Sequence, residues 1–253
     1  MLAPTAGPNW YTIWSRLVVE GLDRLSPPRT YQPRLADERL SQLLTNFPAV
    51  LVNGPRAVGK TTTAGRQAAE IVQLDQPARA AAFAADPDAA LEGRAEPLLL
   101  DEWPEVPAVL GAVKRAVDTN SRHGRFILTG SVRAEVEQRK WPGTGRLVRL
   151  SMHGLTELEV LGQVVAGRRG FLERLEVADP GAFDLPGIRP RLREYVERAL
   201  RGGFPDVTYR LGSSSARDTW SASYLDQLLT RDAATVAPGR DVDKMRRYSR
   251  PSR

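Results

Sequence analysis

Residues 53–62 read Asn53-Gly54-Pro55-Arg56-Ala57-Val58-Gly59-Lys60-Thr61-Thr62. They fit G-x-x-x-x-G-K-[ST], with Gly54, Gly59, Lys60 and Thr61 at the fixed positions. Ala49-Val50-Leu51-Val52 just before them is a short apolar run, the pattern of a buried parallel strand. Thr61 to Ile71 predicts a helix, so the loop falls between a strand and a helix, the context the motif needs. The two glycines permit backbone angles that bulkier residues resist. The loop amides can then converge on an anion, aided by the positive end of the helix. Lys60 is expected on the β- and γ-phosphates of a nucleotide and the Thr61 hydroxyl on Mg²⁺. The candidate nucleotide-binding set is Gly54, Pro55, Arg56, Ala57, Val58, Gly59, Lys60, Thr61 and Thr62. The bland alternative is a glycine-rich turn with an ordinary surface lysine, and the strand-loop-helix context argues against it.

The next informative stretch is Pro97-Leu98-Leu99-Leu100-Asp101-Glu102, an apolar strand ending in two carboxylates. Ligands of open α/β sheets bind at the carboxyl ends of the strands, where such a pair can carry magnesium chemistry. Asp101 is the expected Mg²⁺ ligand, directly or through water. Glu102 is the expected base that orients and deprotonates an attacking water. Thr129, at the end of the strand Arg125–Ser131, could contact the γ-phosphate or that water. Ser131 could do the same or simply cap the helix expected from Val132. Arg146, in Gly143-Thr144-Gly145-Arg146, could reach a bound phosphate or a neighbouring subunit's phosphate, or be an ordinary surface arginine.

Working outward, residues 35–47 predict a helix with Leu35, Leu40, Leu43 and Leu44 on one face. Ile71–Leu74 is a second strand candidate, residues 78–92 a helix interrupted at Asp86-Pro87, and residues 105–118 a helix with Val109, Leu110, Val113 and Val117 on its stripe. Leu147–Leu150 is the fifth strand candidate. Strand and helix alternate throughout, which predicts an α/β fold: a parallel sheet covered by helices on both faces, followed by a small helical region. Leu155, Leu158 and Leu161 suggest a short helix, residues 191–201 a charged amphipathic one, and Thr219–Asp232 another with Trp220, Tyr224, Leu225 and Leu228 as core candidates. Gly202–Asp206 reads as a sharp break. The organisation expected is an N-terminal extension over 1–30, a nucleotide-binding core over 31–152, a helical region over 153–237 and a basic tail over 238–253. In the extension, Trp10, Tyr11, Ile13, Trp14, Leu17 and Val18 recur at helical spacing.

The composition narrows the function classes. The chain of 253 residues has no cysteine and two histidines, which removes disulfides, thiolate sites and cysteine nucleophiles and disfavours a multi-histidine metal site. The net charge is +6 and the basic residues are nearly all arginine, the lysines being Lys60, Lys114, Lys140 and Lys244. Such a balance suits nucleic acid or simply a solvated surface. No apolar run is long enough to cross a bilayer and the first residues do not read as a secretory signal, so a cytoplasmic protein without a membrane partner is expected.

Taken together, GPRAVGKTT, LLLDEWPEVP, FILTGS, GRLVRL, GGFPD and the late Arg231-Asp232 resemble the bacterial and archaeal AAA-type ATPases that carry a DUF4143 C-terminal region. The resemblance covers roughly residues 31–235. It implies a P-loop core with strand order 5-1-4-3-2 and ATP with Mg²⁺ as ligand. Lys60 and Thr61 match that family's phosphate-loop positions, Asp101 and Glu102 its acidic pair, Thr129–Ser131 the place of its γ-phosphate sensor, and Arg146 its G-R element. Family members continue through a winged-helix segment and a nuclease-like domain, so by this resemblance the chain is expected to be C-terminally truncated, and nuclease activity is not carried over.

Three functions remain in view. The first is a Mg-dependent ATPase or ATP-driven switch. The second is a nucleotide-gated module that binds DNA, RNA or protein with negligible turnover. The third is a small-molecule P-loop kinase, for which an arginine-rich segment such as Arg133–Arg149 could imitate a lid. A homo-oligomer is compatible with each.

Overall fold

The computed structural model describes residues 31–130, 145–164, 191–232 and 244–246. The expectations for residues 1–30, Ser131, the helix from Val132, most of Arg133–Arg149 and nearly all of the basic tail lie outside these. By its contacts the chain divides into Met1–Gln32 and Pro33–Arg253, and all the elements below belong to the second unit.

Five parallel strands make the sheet: β1 (Ala49–Asn53), β2 (Glu70–Gln73), β3 (Leu98–Asp101), β4 (Phe126–Gly130) and β5 (Leu147–Ser151). Their order is β2-β3-β4-β1-β5, the expected 5-1-4-3-2. Ala49 lies beside Phe126 on one side and Leu147 on the other. Asn53 lies beside Gly130 and Ser151, and Gln73 beside Asp101. The carboxyl ends therefore align along one edge, where the phosphate loop leaves β1.

The consecutive apolar runs of β1, β3 and β4 are explained by burial on both faces. Ala49, Leu51, Leu98, Leu100, Phe126 and Leu128 pack on one side with Phe83, Trp103, Val109, Val113 and Val117. Val50, Val52, Leu99 and Ile127 pack on the other with Leu40, Leu43, Leu44, Val58, Ala64 and Met152. Alternate residues of each strand thus serve opposite layers. The first layer is covered by α3 (Pro77–Ala85), α4 (Pro87–Leu91) and α5 (Ala108–Thr119), the second by α1 (Leu35–Asn46) and α2 (Lys60–Gly65). Asp86 separates α3 from α4, its carboxylate accepting the amides of Asp88 and Ala89 as an N-cap.

Several expectations are corrected. The helix after the loop stops at Gly65 rather than reaching Ile71. Three successive threonines are weak helix formers, and the chain must turn early because Ala69 N–H bonds to Pro97 O at 2.9 Å, setting β2 beside β3. Leu35 is exposed at the start of α1, as are Leu158 and Leu161 around α6 (Glu157–Val160), while Leu155 is buried. Gly202–Asp206 is more than a break, because Pro205 starts α8 (Pro205–Arg210). The late helix α9 spans Ser214–Gln227 and continues as a wider π-type turn over Leu228–Asp232. There Leu229 is buried rather than Leu225. The amphipathic α7 (Leu192–Arg201) leaves its apolar stripe of Leu192, Tyr195, Val196 and Leu200 exposed.

Candidate functional site

The loop Gly54–Gly59 turns sharply, and its backbone shows how. Gly54, Ala57 and Gly59 have φ values of 148°, 61° and 92°. A Cβ on Gly54 would stand 2.1 Å from the carbonyl oxygen of Met152, so that position admits only glycine. Met152 is this close because its N–H continues the ladder to Asn53 O at 2.8 Å. The curled backbone is of the kind that gathers amides into an anion-binding concavity.

Lys60, nearly buried, donates its ammonium to Gly54 O at 3.1 Å and Pro55 O at 2.8 Å. The lysine therefore spans its own loop. The Thr61 hydroxyl donates to Asp101 Oδ1 at 2.8 Å, and the Thr129 hydroxyl donates to the same oxygen. The Glu102 N–H in turn donates to Thr129 Oγ1 at 3.3 Å. Thr61, Asp101 and Thr129, from three separate elements, thus meet at one carboxylate oxygen. Thr62 is exposed just behind.

Glu102 has a left-handed backbone, φ 51° and ψ 47°, which costs a non-glycine residue about 1–2 kcal/mol. The fold imposes it: Asp101 is tied into the sheet on one side, and Trp103, fully buried in the core, anchors the other. The turn is closed by Glu105 N–H on Glu102 O at 3.0 Å. Burial pushes the Glu102 carboxyl above its usual range. Lys60 and Arg56 oppose that shift, and Asp101 and Glu105 add to it.

A magnesium ion fits this donor set. Mg²⁺ takes few protein ligands and completes its octahedron with waters and phosphate oxygens. Thr61 Oγ1 and Asp101 Oδ1 supply two hard oxygens already side by side. Among the described residues no cluster of three or more His, Cys, Asp or Glu could hold a metal alone.

Arg146 is the sequence candidate that the structure places elsewhere. It precedes Leu147, which pairs with Ala49 at the amino end of β1, and it forms an ion pair with Asp118. It stands at the far edge of the sheet from Gly54, so the reading in which it reaches its own chain's phosphate is corrected. An ordinary surface arginine paired with Asp118, and a neighbouring copy's phosphate, are the readings that remain.

Residues that the sequence did not assign to the site complete the surroundings. Arg34 donates to Val58 O inside the loop at 2.9 Å and to Glu159 Oε1 at 2.9 Å. Tyr224 OH donates to Arg56 O at 3.4 Å, and Tyr224 belongs to an aromatic cluster with Phe204 and Trp220, centroids 4.8–5.0 Å apart. Gly203 lets the chain cross Gly154-Leu155 closely, with Leu155 N–H on Gly203 O at 2.6 Å. For Glu159 the local signal is Thr156-x-x-Glu159, a capping box that announces α6 and says nothing of Arg34.

The sheet order, the loop and the acidic strand end define a P-loop NTPase fold. Comparison agrees: residues 46–161 match the family model AAA_14, an AAA domain, which supports an AAA-type family and a nucleotide-binding module for this part of the chain. Residues 192–250 match DUF8612, a domain of unknown function, where a DUF4143 region was expected. The chain is 30% identical over 219 residues to uncharacterized proteins of Mycobacterium tuberculosis and Mycobacterium bovis. That alignment covers 85% of this chain and 42% of each relative, so the chain spans less than half of their length. Among the described residues no helix is long and apolar enough to cross a membrane.

Proposed function

We propose that this chain binds Mg-ATP at Gly54–Thr62 and hydrolyses it, acting as an ATPase or ATP-driven switch. The observation that carries this reading is the convergence of Thr61, Asp101 and Thr129 on one oxygen beside Lys60. Lys60 would exchange its two loop carbonyls for β- and γ-phosphate oxygens. Thr61 and Asp101 would hold Mg²⁺, whose role is to neutralise charge on the phosphates. Thr129 would orient a γ-phosphate oxygen or the attacking water. Glu102 would take the proton from that water, a role its raised pKa suits. Hydrolysis accounts for the Asp-Glu pair better than transfer to a small-molecule acceptor does. Arg146 would serve only a phosphate held by a second copy, which gives a homo-oligomer a chemical purpose.

The test is Mg-ATP binding and steady-state phosphate release, with Glu102→Gln alongside. Binding with Glu102-dependent release supports the ATPase. Binding without release in the wild type supports the module that gates a protein or nucleic-acid partner by occupancy alone. Absence of binding removes the proposal.

A further inference from the structure

Beneath the phosphate loop lies a buried ion pair that the proposed chemistry does not use. Arg34 is 6% exposed and Glu159 2%. The Arg34 guanidinium donates through Nε to Glu159 Oε1 at 2.9 Å, through Nη1 to Val58 O at 2.9 Å, and through Nη2 to His153 O at 2.8 Å. Glu159 is itself held in place. Its Oε1 accepts Leu35 N–H at 2.9 Å, and its Oε2 accepts Thr156 N–H at 2.6 Å and the Thr156 hydroxyl at 3.0 Å. Burial pushes this carboxyl up, but the Thr156 amide, the guanidinium and the Leu35 amide outweigh it and hold it below the usual range.

One of the three guanidinium bonds goes to the loop itself. A trans peptide is planar, and its C=O and N–H point in opposite directions. Whatever fixes the Val58 carbonyl therefore fixes the Gly59 N–H, aimed away from Arg34. Gly59, at φ 92°, is free to take other backbone angles, so this peptide needs an external hold. A buried, bidentate-capable arginine locked by a carboxylate is a stiff one.

We infer that Arg34, locked by Glu159, is a positioning residue for the phosphate loop: it grips the Val58 carbonyl and so aims the Gly59 amide at the bound phosphate. This rests on the reading that the loop binds nucleotide. It also makes nucleotide affinity depend on the docking of residues 153–159, outside the loop.

Arg125 supplies an internal control. It makes the same kind of three-way bond, to Glu96 Oε1 at 2.9 Å, Ala116 O at 2.6 Å and Asn120 O at 2.7 Å, at the opposite edge of the sheet. The experiment compares wild type, Arg34→Lys, Glu159→Gln and Arg125→Lys by melting temperature. Affinity for a fluorescent Mg-ADP analogue is then measured well below every melting point. Lysine keeps the charge but loses the fork. Arg34→Lys is expected to weaken Mg-ADP about tenfold, the scale of one charge-assisted hydrogen bond. Glu159→Gln is expected to weaken it less, and Arg125→Lys to lower only the melting temperature. Mg-ADP affinity at the wild-type level in Arg34→Lys overturns the inference, as does an equal loss in Arg125→Lys. If Arg34→Lys does not fold, Glu159→Gln is judged by the same standard. Failure of the wild type to bind would instead remove the nucleotide reading itself.

Discussion

The two edges of the same sheet differ in how their polar groups are arranged. At the amino edge, charges satisfy one another: Arg146 with Asp118, and Arg122 and Arg125 with Glu96. At the carboxyl edge the backbone is strained, since the non-glycine residues with positive φ among those described, Ala57 and Glu102, both lie there. There Lys60 rests on two carbonyls and two hydroxyls share one Asp101 oxygen. An ammonium on neutral carbonyls is held less strongly than one on a carboxylate. A polyphosphate can compete for the carbonyl contacts of Lys60 at the carboxyl edge, whereas the arginines of the amino edge are already held by carboxylates. Backbone strain and exchangeable partners, more than polarity as such, mark the candidate site.

Substitutions can break this contrast, and the largest effect is expected at Glu102. Glu102→Gln should lower phosphate release by about 10²–10⁴-fold, the usual range for a positioned base, with Mg-ATP affinity preserved. Unchanged release would show that the left-handed turn serves only structure. Next, Lys60→Ala should weaken Mg-ATP binding about a hundredfold, since it removes a charge-assisted contact to the phosphates. Titration calorimetry giving equal affinity would erase the difference between the edges.

Gly54→Ala should destabilise the fold by about 1–3 kcal/mol through its collision with Met152 O. Denaturant unfolding would measure that, and an unperturbed midpoint would mean that β5 yields freely. Because burial raises the Glu102 carboxyl above 4.5, the acid limb of kcat/KM should lie above that value. Activity is then lost as pH falls through the raised pKa, and Glu102→Gln should erase the limb. A limb at or below the ordinary glutamate value would reassign the base. The smallest effect is expected at Arg146→Ala. It should leave the single chain's Mg-ATP affinity unchanged and cost under about 1 kcal/mol of stability, the range of half-exposed ion pairs. A fall in turnover that grows with protein concentration would sharpen the picture by placing Arg146 in a neighbour's site.

Much of the carboxyl edge was legible because its chemistry is written in short range. The spacing of Gly54, Gly59, Lys60 and Thr61, and an apolar run ending in Asp101-Glu102, each predict a local geometry that the fold only had to bring together. The meeting of Thr129 with Asp101 followed from strand ends sharing an edge, although the shared oxygen did not. Arg146 immediately precedes its strand, and in a parallel sheet that places it at the amino edge, away from the phosphate loop; the sequence already held this, and the register Ala49↔Leu147 bears it out. Leu225, a core candidate, and Leu35, on the apolar face of α1, are exposed because a helical stripe names a face without saying what covers it. Arg34 and Glu159 stood 125 residues apart with no periodic pattern to join them.

The sequence by itself determined the alternation of strand and helix, the phosphate loop and the acidic strand end, because apolar period, glycine conformation and residue chemistry act over a few neighbours. Tertiary structure alone decided where α2 stops, that Arg146 pairs with Asp118, and that Arg34 and Glu159 meet beneath the loop. Those outcomes depend on strand pairing and on buried charges finding partners, and both conditions are met only when distant segments close on one another.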